Sequence, residues 1–239
     1  MPYTLLHDGD DYEKHYWTKF LSSDFPSYQT YWADKITPLT NRPNNIHFKS
    51  SAELIALGHS AEEVCKAQLH YTIFRHLKRA YEILVHLQNK IQVVNDTDYL
   101  GEGLYHICSA QDVAFEFLQR NKTPNQFDAW TPKKKFSTTG NSGSEGALRR
   151  WQSENNNPLQ DIREYRNHIT HGRMSPSILQ QGKVLLPKIG LEIIYLDWRI
   201  ITDNYPSSQV VSDFDSLDKI LSSAWLATLA YFEAEWKNI

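Results

Sequence analysis

Hydrophobic residues recur at helical spacing along three long stretches of the chain. Ser60 and Glu63 form the sequence pattern of a capping box, which predicts the start of a helix that continues to about Gln92. A second stretch runs from about Tyr99 to Gln119, and a third follows Asp213 or Ser216. The residues predicted to face inward are Val64, Tyr71, Phe74, Leu77, Tyr81, Leu84 and Ile91, then Leu100, Leu104, Ile107, Ala114 and Leu118, and finally Leu217, Ile220, Leu221, Ala224, Trp225, Leu229, Phe232 and Trp236.

A fourth and shorter helix is predicted around the segment Asp161–Arg173, DIREYRNHITHGR, which Gly172 is expected to end. At 100° per residue, four of its apolar residues fall on one arc, which should be the buried face. These residues are Leu159, Ile162, Tyr165 and Ile169.

The rest of the chain predicts connectors and one β-like excursion. Residues 1–50 are aromatic and predict an N-terminal arm packed on the bundle, with turn chemistry in residues 37–50. Lys183–Ile201 is rich in β-branched and aromatic residues around a Pro187–Gly190 turn, which favours a small hairpin or an extended excursion. The prediction is an all-α fold, a helical bundle of four or five principal helices at residues 51–239, with a small β-like excursion before the last helix.

Composition and charge narrow the class of protein. The net charge of −3 over 239 residues excludes a globally basic nucleic-acid binder, so any contact with RNA must come from a local basic patch. Cys65 and Cys108 make neither a disulfide framework nor a zinc spacing, which favours a reducing cytoplasm. No signal peptide and no membrane-spanning segment are expected.

The short helix also carries the candidate chemistry, in Arg166, Asn167 and His171. An arginine fork matches phosphate oxygens, and a histidine can take or give a proton near neutral pH. The two residues lie about 140° apart on an ideal helix. They therefore converge on one ligand only if His171 sits at a frayed helix end, or if a two-fold partner supplies the other half of the site.

Spacing alone does not single out this pair, because Arg42/His47 and Arg163/His168 share it. The first of these contains Pro43 and lies in a turn-rich segment. The second has Glu164 beside the arginine, and His168 points away from the cationic arc. Only Arg166/His171 combines a neighbouring amide with a helix end.

The sequence YRNHITHG resembles the signature of the HEPN superfamily, the higher eukaryotes and prokaryotes nucleotide-binding domains. That motif is Arg, then Asn, Asp or His, then three variable residues, then His. The resemblance implies a helical bundle whose motifs face one another in a homodimer, and a metal-independent ribonuclease of a toxin–antitoxin or antiviral system. It places the RNA-cleaving arginine at Arg166, a supporting polar residue at Asn167 and the catalytic histidine at His171. The tyrosine that nucleotidylated members carry two positions later is Arg173 here, which argues against that mode of silencing.

The partners that this interpretation predicts are RNA, a second copy of the chain, and an antitoxin or regulatory protein, with no cofactor or metal. Arginines on both sides of the turn at Asn155–Pro158 are expected to form one basic cluster that binds the RNA backbone, unless they pair with neighbouring carboxylates. They are Arg149, Arg150, Arg163 and Arg173.

Two other interpretations stay open on the sequence. One is a catalytically silent helical module of the same type that binds nucleotide, RNA or a protein partner. The other is that Arg166 and His171 are structural polar residues at a helix end. His70, His76 and His86 lack metal-ligand spacing and are interpreted as surface or packing residues.

Overall fold

The computed structural model describes residues 25–31, 34, 40–42, 45–48, 55–121, 158–170, 177–190 and 213–239. This part of the chain is mainly helical and carries a small three-stranded sheet. No helix within it combines the length and the apolar character needed to cross a bilayer.

Within the ranges that the structure describes, four helices have more than three turns, and a short one precedes them. The helices are α1 (Pro26–Tyr31), α2 (Ala61–Gln88), α3 (Thr97–Asn121), α4 (Pro158–Thr170) and α5 (Leu217–Trp236). The strands are β1 (Thr40–Arg42) and β2 (Asn45–Phe48), which form a hairpin, and β3 (Ile178–Gln180), β4 (Lys183–Pro187) and β5 (Phe214–Ser216), which form one sheet.

The chain divides into two compact units. Residues 1–75, 110–150 and 228–239 belong to unit one, and residues 76–109 and 151–227 to unit two. The motif helix α4 and the three-stranded sheet lie in unit two.

The predicted start of α2 is confirmed in full. The Ser60 amide donates to the Glu63 carboxylate at 2.8 Å, and the Glu63 amide donates to the Ser60 hydroxyl at 3.2 Å. These hydrogen bonds satisfy donors that the first turn of a helix leaves without partners, so they fix where the helix begins. They also lower the pKa of the Glu63 carboxyl, because they favour its charged form.

The end of α2 lies earlier than predicted. The helix ends at Gln88, and Ile91, which we expected on the inward face, is 79% exposed. Gln92 turns inward instead, and its amide nitrogen donates to the Leu87 carbonyl at 3.1 Å and to Asp218 at 2.8 Å. The amide oxygen of Gln92 accepts from the Val184 amide at 3.2 Å. These contacts with distant parts of the chain outweigh the helical periodicity.

The same network holds the first turn of α5. Burial opposes ionisation of Asp218, but hydrogen bonds from Ser216 and Gln92 outweigh it and lower the pKa of this carboxyl. The ammonium of Lys183, 3.3 Å away, acts in the same direction. Unit two is therefore joined by polar contacts between β4, α5 and the segment after α2.

The β-like excursion lies at a different place from the predicted hairpin. The strand β4 pairs antiparallel with β3 on one side and β5 on the other, so its hairpin partner precedes it. The turn is Gln181–Gly182, where φ values of 49° and 73° suit a two-residue hairpin. The prediction of a hairpin around Pro187–Gly190 was wrong in its pairing, because both edges of β4 are already paired, one with β3 and the other with β5. Residues 191–201 of that prediction lie outside the described residues.

Two glycines of α3 permit close packing in unit two. A Cβ atom at Gly103 would lie 2.7 and 2.9 Å from the Leu221 methyl groups and 3.3 Å from Ile83. At Gly101 the nearest atom would be a methyl group of Ile169, at the ordinary distance of 3.4 Å. The crowded glycine is therefore the one on which the contact between α3 and α5 depends.

We expect Gly103→Ala to lower the free energy of unfolding by roughly 1–2 kcal/mol, because overpacking exceeds the gain in helix propensity. Gly101→Ala is the matched control, and it should raise the free energy of unfolding by up to about 1 kcal/mol. Urea denaturation followed by circular dichroism measures both. Equal effects of the two substitutions would contradict this account of the packing.

Unit one is built around a buried histidine. His70 is fully buried in a ring cluster, with Tyr31 stacked on it at 4.5 Å and Phe117 edge-on at 4.3 Å. Its Nδ1 lies 2.8 Å from the Lys66 carbonyl, and its Nε2 lies 3.2 Å from the Trp236 indole nitrogen. The indole can only donate, so Nε2 accepts and Nδ1 carries the proton. His70 is thus a packing residue, as predicted.

An aromatic residue of the N-terminal segment also packs within unit one. Phe25 is fully buried and packs against Phe232 at 5.6 Å and Trp236 at 5.7 Å. At the start of α1, the Ser27 hydroxyl donates to the Glu233 carboxylate at 2.7 Å. Residues 1–24 of the predicted N-terminal arm lie outside the described residues.

Candidate active site

The motif helix α4 is anchored by its apolar face. Leu159, Ile162 and Tyr165 are buried, as the 100° spacing predicts, and Ile169 is half-buried. The Tyr165 hydroxyl donates to the Pro187 carbonyl at 2.7 Å, which ties the middle of α4 to the end of β4. Burial raises the pKa of this phenol, so it remains a donor at physiological pH.

A second face of α4 lies along α3. A Cβ at Gly101 would lie 3.4 Å from Ile169, and Nη2 of Arg163 lies 3.5 Å from the Cys108 carbonyl oxygen. From Gly101 to Cys108 along α3, the contacting residue on α4 moves back from Ile169 to Arg163. The two helices therefore run antiparallel. Arg166, one turn from each contact on the same stripe of α4, faces α3.

Arg166 is half-buried on this face. Its Nε atom is buried and makes no hydrogen bond to any residue that the structure describes. A buried donor without a partner costs about 1–3 kcal/mol, so such groups are rare in folded proteins. The carboxylates nearest in sequence do not compensate Arg166, because within the described ranges neither Asp161 nor Glu164 forms an ion pair with it. Glu164 accepts a hydrogen bond from Gln160 at 2.6 Å instead.

Helix α4 carries two carboxylates close to Arg166 in sequence, Asp161 and Glu164. Burial, helped by the nearby charge of Glu164, raises the pKa of the Asp161 carboxyl. Asp161 also lies at Gly190, where a Cβ would come within 3.3 Å of its carboxylate oxygen. The backbone φ of +85° at Gly190 likewise favours glycine, so this turn is built around the carboxylate.

The last described turn of α4 is held by Thr170. Its hydroxyl donates to the Arg166 carbonyl at 2.9 Å, one helical turn back. Asn167, between them in sequence, is exposed. The turn that immediately precedes His171 is therefore regular, and it carries two of the three predicted catalytic residues, Arg166 and Asn167.

The other predicted site residues do not all fall in the described part. Arg163 contacts the Cys108 carbonyl on α3. His171 and Arg173 lie beyond α4, outside the described residues, and so do Arg149 and Arg150. The geometry therefore bears on Arg166, Asn167 and Arg163 alone.

Sequence reasoning missed a histidine pair on the neighbouring helices. Nδ1 of His76 lies 2.8 Å from Nδ1 of His106, so one ring donates to the other. Glu102, one turn before His106, accepts two hydrogen bonds from Arg79, at 2.7 and 2.9 Å. Nothing in the spacing of residues 76 and 106 signals this pair, because it depends on how α2 and α3 pack. Among the described residues, no group of three or more His, Cys, Asp or Glu side chains could hold a metal ion.

A scan against protein-family models and searches of curated proteins and of solved structures give no match for this chain. The functional assignment therefore depends on the motif and on the contacts of its helix.

Proposed function

We propose that the chain is a metal-independent endoribonuclease of HEPN type, and that its described helices belong to a bundle of that type. The 2′-hydroxyl of the RNA attacks its own phosphodiester, which breaks the bond to the 5′-oxygen and yields a 2′,3′-cyclic phosphate and a 5′-hydroxyl. His171 transfers a proton as general base or general acid, and Arg166 stabilises the charge that builds on the phosphate oxygens.

The observation that carries this proposal is the state of Arg166. Arg166 is half-buried on α4, and its buried Nε, like that of Arg163 one turn earlier, has no hydrogen-bond partner among the described residues. An arginine that only stabilises a fold is normally paired, because an unpaired buried donor lowers stability. A phosphate oxygen that contacts the fork would supply the missing acceptor, and arginine binds such oxygens through two donors at once.

Asn167 has a supporting role in this proposal. It is exposed next to Arg166, where its amide can orient the substrate or the imidazole. Arg163 and Arg173, with Arg149 and Arg150, bind the flanking RNA backbone. The chain is acidic overall, so these local cations account for RNA binding, and its salt dependence should be moderate.

Wild-type protein in excess EDTA should cleave a single-stranded RNA. Cleavage that requires an added metal ion would contradict the proposed mechanism. RNA binding without cleavage, with or without metal, would instead favour the silent module of the same family. An electrophoretic shift measured on 2′-O-methyl RNA, which lacks the attacking hydroxyl, separates binding from cleavage.

The proposal includes a homodimer, because Arg166 and His171 lie about 140° apart on an ideal helix. The setting we propose is a toxin–antitoxin or antiviral system in the cytoplasm, with an antitoxin or regulatory protein as a further partner. Mixing chains that carry Arg166→Ala with chains that carry His171→Ala tests whether the site is shared. Activity that returns to a quarter to a half of the wild-type value supports a composite site, and no recovery supports a site within one chain.

A further inference from the structure

The surface beside Arg166 contains an exposed aromatic residue, Tyr105. This residue of α3 is 49% exposed, whereas its neighbour Leu104 and Cys108, one turn later, are buried. Its hydroxyl has no hydrogen-bond partner in the part of the chain that the structure describes. Within the described residues, neither burial nor a polar contact therefore explains a large ring at this position.

Tyr105 lies at the level of Arg166 along the two antiparallel helices. Gly101 meets Ile169 and Cys108 meets Arg163, and Tyr105 lies between Gly101 and Cys108 on one stripe of α3. Arg166 lies midway between Ile169 and Arg163 on the facing stripe of α4. Packed helices have axes about 8–10 Å apart, so Tyr105 and Arg166 project from neighbouring helices at the same level.

Two imidazoles hold the ring of Tyr105. It meets His106 at 5.2 Å and 72°, and His76 at 6.4 Å and 76°, both edge-to-face arrangements. The two histidines are themselves joined by the 2.8 Å contact between their Nδ1 atoms. The phenol ring therefore has a supported orientation although half of the residue is open to solvent.

The charge near Tyr105 does not oppose RNA. Glu102 is the adjacent carboxylate on α3, and the guanidinium of Arg79 binds it through two donors. A neutralised carboxylate repels phosphate less than a free one.

We infer that Tyr105 stacks on a nucleobase that flanks the phosphate held by Arg166, which makes it a base-binding residue of the same site. The inference rests on the proposed ribonuclease function. Aromatic rings bind bases of single-stranded RNA by stacking, with little dependence on sequence. The substrate class is therefore RNA with an unpaired base beside the cleaved bond, and duplex RNA should be a poor substrate.

The test measures kcat and KM on a short single-stranded RNA, and on versions that lack the base on the 5′ or the 3′ side of the cleaved phosphate. Tyr105→Ala should lower kcat/KM roughly 5- to 150-fold, mostly through KM, the range that the loss of one stacked base produces. Tyr105→Phe keeps the ring and should keep the activity. Tyr105→Leu keeps bulk without a π face and should behave as the alanine variant does.

The RNAs that lack one base test whether Tyr105 acts by stacking. For the wild type, removal of one of the two bases should lower kcat/KM as much as Tyr105→Ala lowers it on the intact RNA. Tyr105→Ala itself should cleave that abasic RNA and the intact RNA with the same kcat/KM. A wild type that cleaves RNA, with Tyr105→Ala and Tyr105→Leu both as active as the wild type, overturns the inference and leaves the function standing. The inference is also overturned if the losses in kcat/KM from Tyr105→Ala and from the missing base add, or if Tyr105→Phe is as impaired as Tyr105→Ala. A wild type that cleaves no RNA overturns the proposed function and this inference together.

Discussion

Arg166→Ala is expected to lower the rate of RNA cleavage at least about a hundredfold, because it removes the group that stabilises charge on the reacting phosphate. The loss should appear in kcat, since the interaction strengthens in the transition state. Arg166→Lys keeps the charge but loses the planar fork, so it should recover only part of the activity. Single-turnover cleavage of a labelled RNA measures all three proteins.

The same substitution should leave stability within about 1 kcal/mol of the wild type, because removing the unpartnered Nε donor offsets the lost packing of the side-chain stem, and Arg166 forms no ion pair among the described residues. This distinguishes a functional arginine from a structural one. Arg75→Ala is the matched control, since Arg75 is an exposed arginine of α2, 6.0 Å from the Tyr71 ring. It should alter neither cleavage nor stability. A large loss of stability in Arg166→Ala with unchanged cleavage would assign Arg166 a structural role.

Acid should destabilise the protein through His70. Burial lowers the pKa of this imidazole to about 3, and the nearby positive charge of Lys66 acts in the same direction. An unfolded histidine titrates near 6.5. Between these two values the unfolded chain binds more protons than the folded one, so the free energy of unfolding falls as the pH falls through this window.

The size of the effect makes it measurable. Each unit of pH within the window costs about 1.4 kcal/mol, and the total amounts to several kcal/mol, a large share of the stability of a typical domain. His70→Phe keeps the ring packing and leaves the Trp236 indole without its acceptor. That variant should be less stable by roughly 1–3 kcal/mol at pH 7, but it should lose the steep dependence below pH 6.

Urea denaturation at several pH values between 4 and 8 checks this prediction. His59→Phe is the control, because His59 is a partly exposed histidine of the same unit, 3.8 Å from Glu63. It should retain the wild-type dependence on pH. Identical slopes for the wild type and His70→Phe would show that His70 does not carry the acid sensitivity.

Local signals in the sequence predicted the helices well. The Ser60–Glu63 capping box begins α2, and the apolar stripe of α5 from Leu217 to Trp236 is buried throughout. These features depend on residues three or four positions apart, which the sequence displays directly. The inward face of α3 was predicted correctly for the same reason.

The sequence did not display contacts between distant residues. Gln92 ends α2 by binding Asp218 and Val184, and β4 is covered by β5, nearly thirty residues later. The burial of His70 follows a helical stripe with Ala67, Phe74 and Leu77, but the Trp236 indole that donates to its Nε2 comes from the other end of the chain. Tertiary partners of this kind override local propensity.

The candidate site, too, could be predicted only in part from the sequence. The arc of α4 that buries Leu159, Ile162 and Tyr165 could be read from spacing, and Arg166 falls on that arc between Leu159 and Ile162. That Arg166 would face α3 at the level of Tyr105 required the packing of α4 against α3. The chemical role of the motif remains a proposal from the residue types and from the state of Arg166.

The chemistry of the RNA ends tests the central claim most directly. Mass spectrometry of the products formed in excess EDTA should find 2′,3′-cyclic phosphate and 5′-hydroxyl ends, which are absent with Arg166→Ala and with His171→Ala. Ends that carry a 5′-phosphate, or cyclic ends that persist in both variants, would contradict 2′-hydroxyl attack at a site formed by Arg166 and His171.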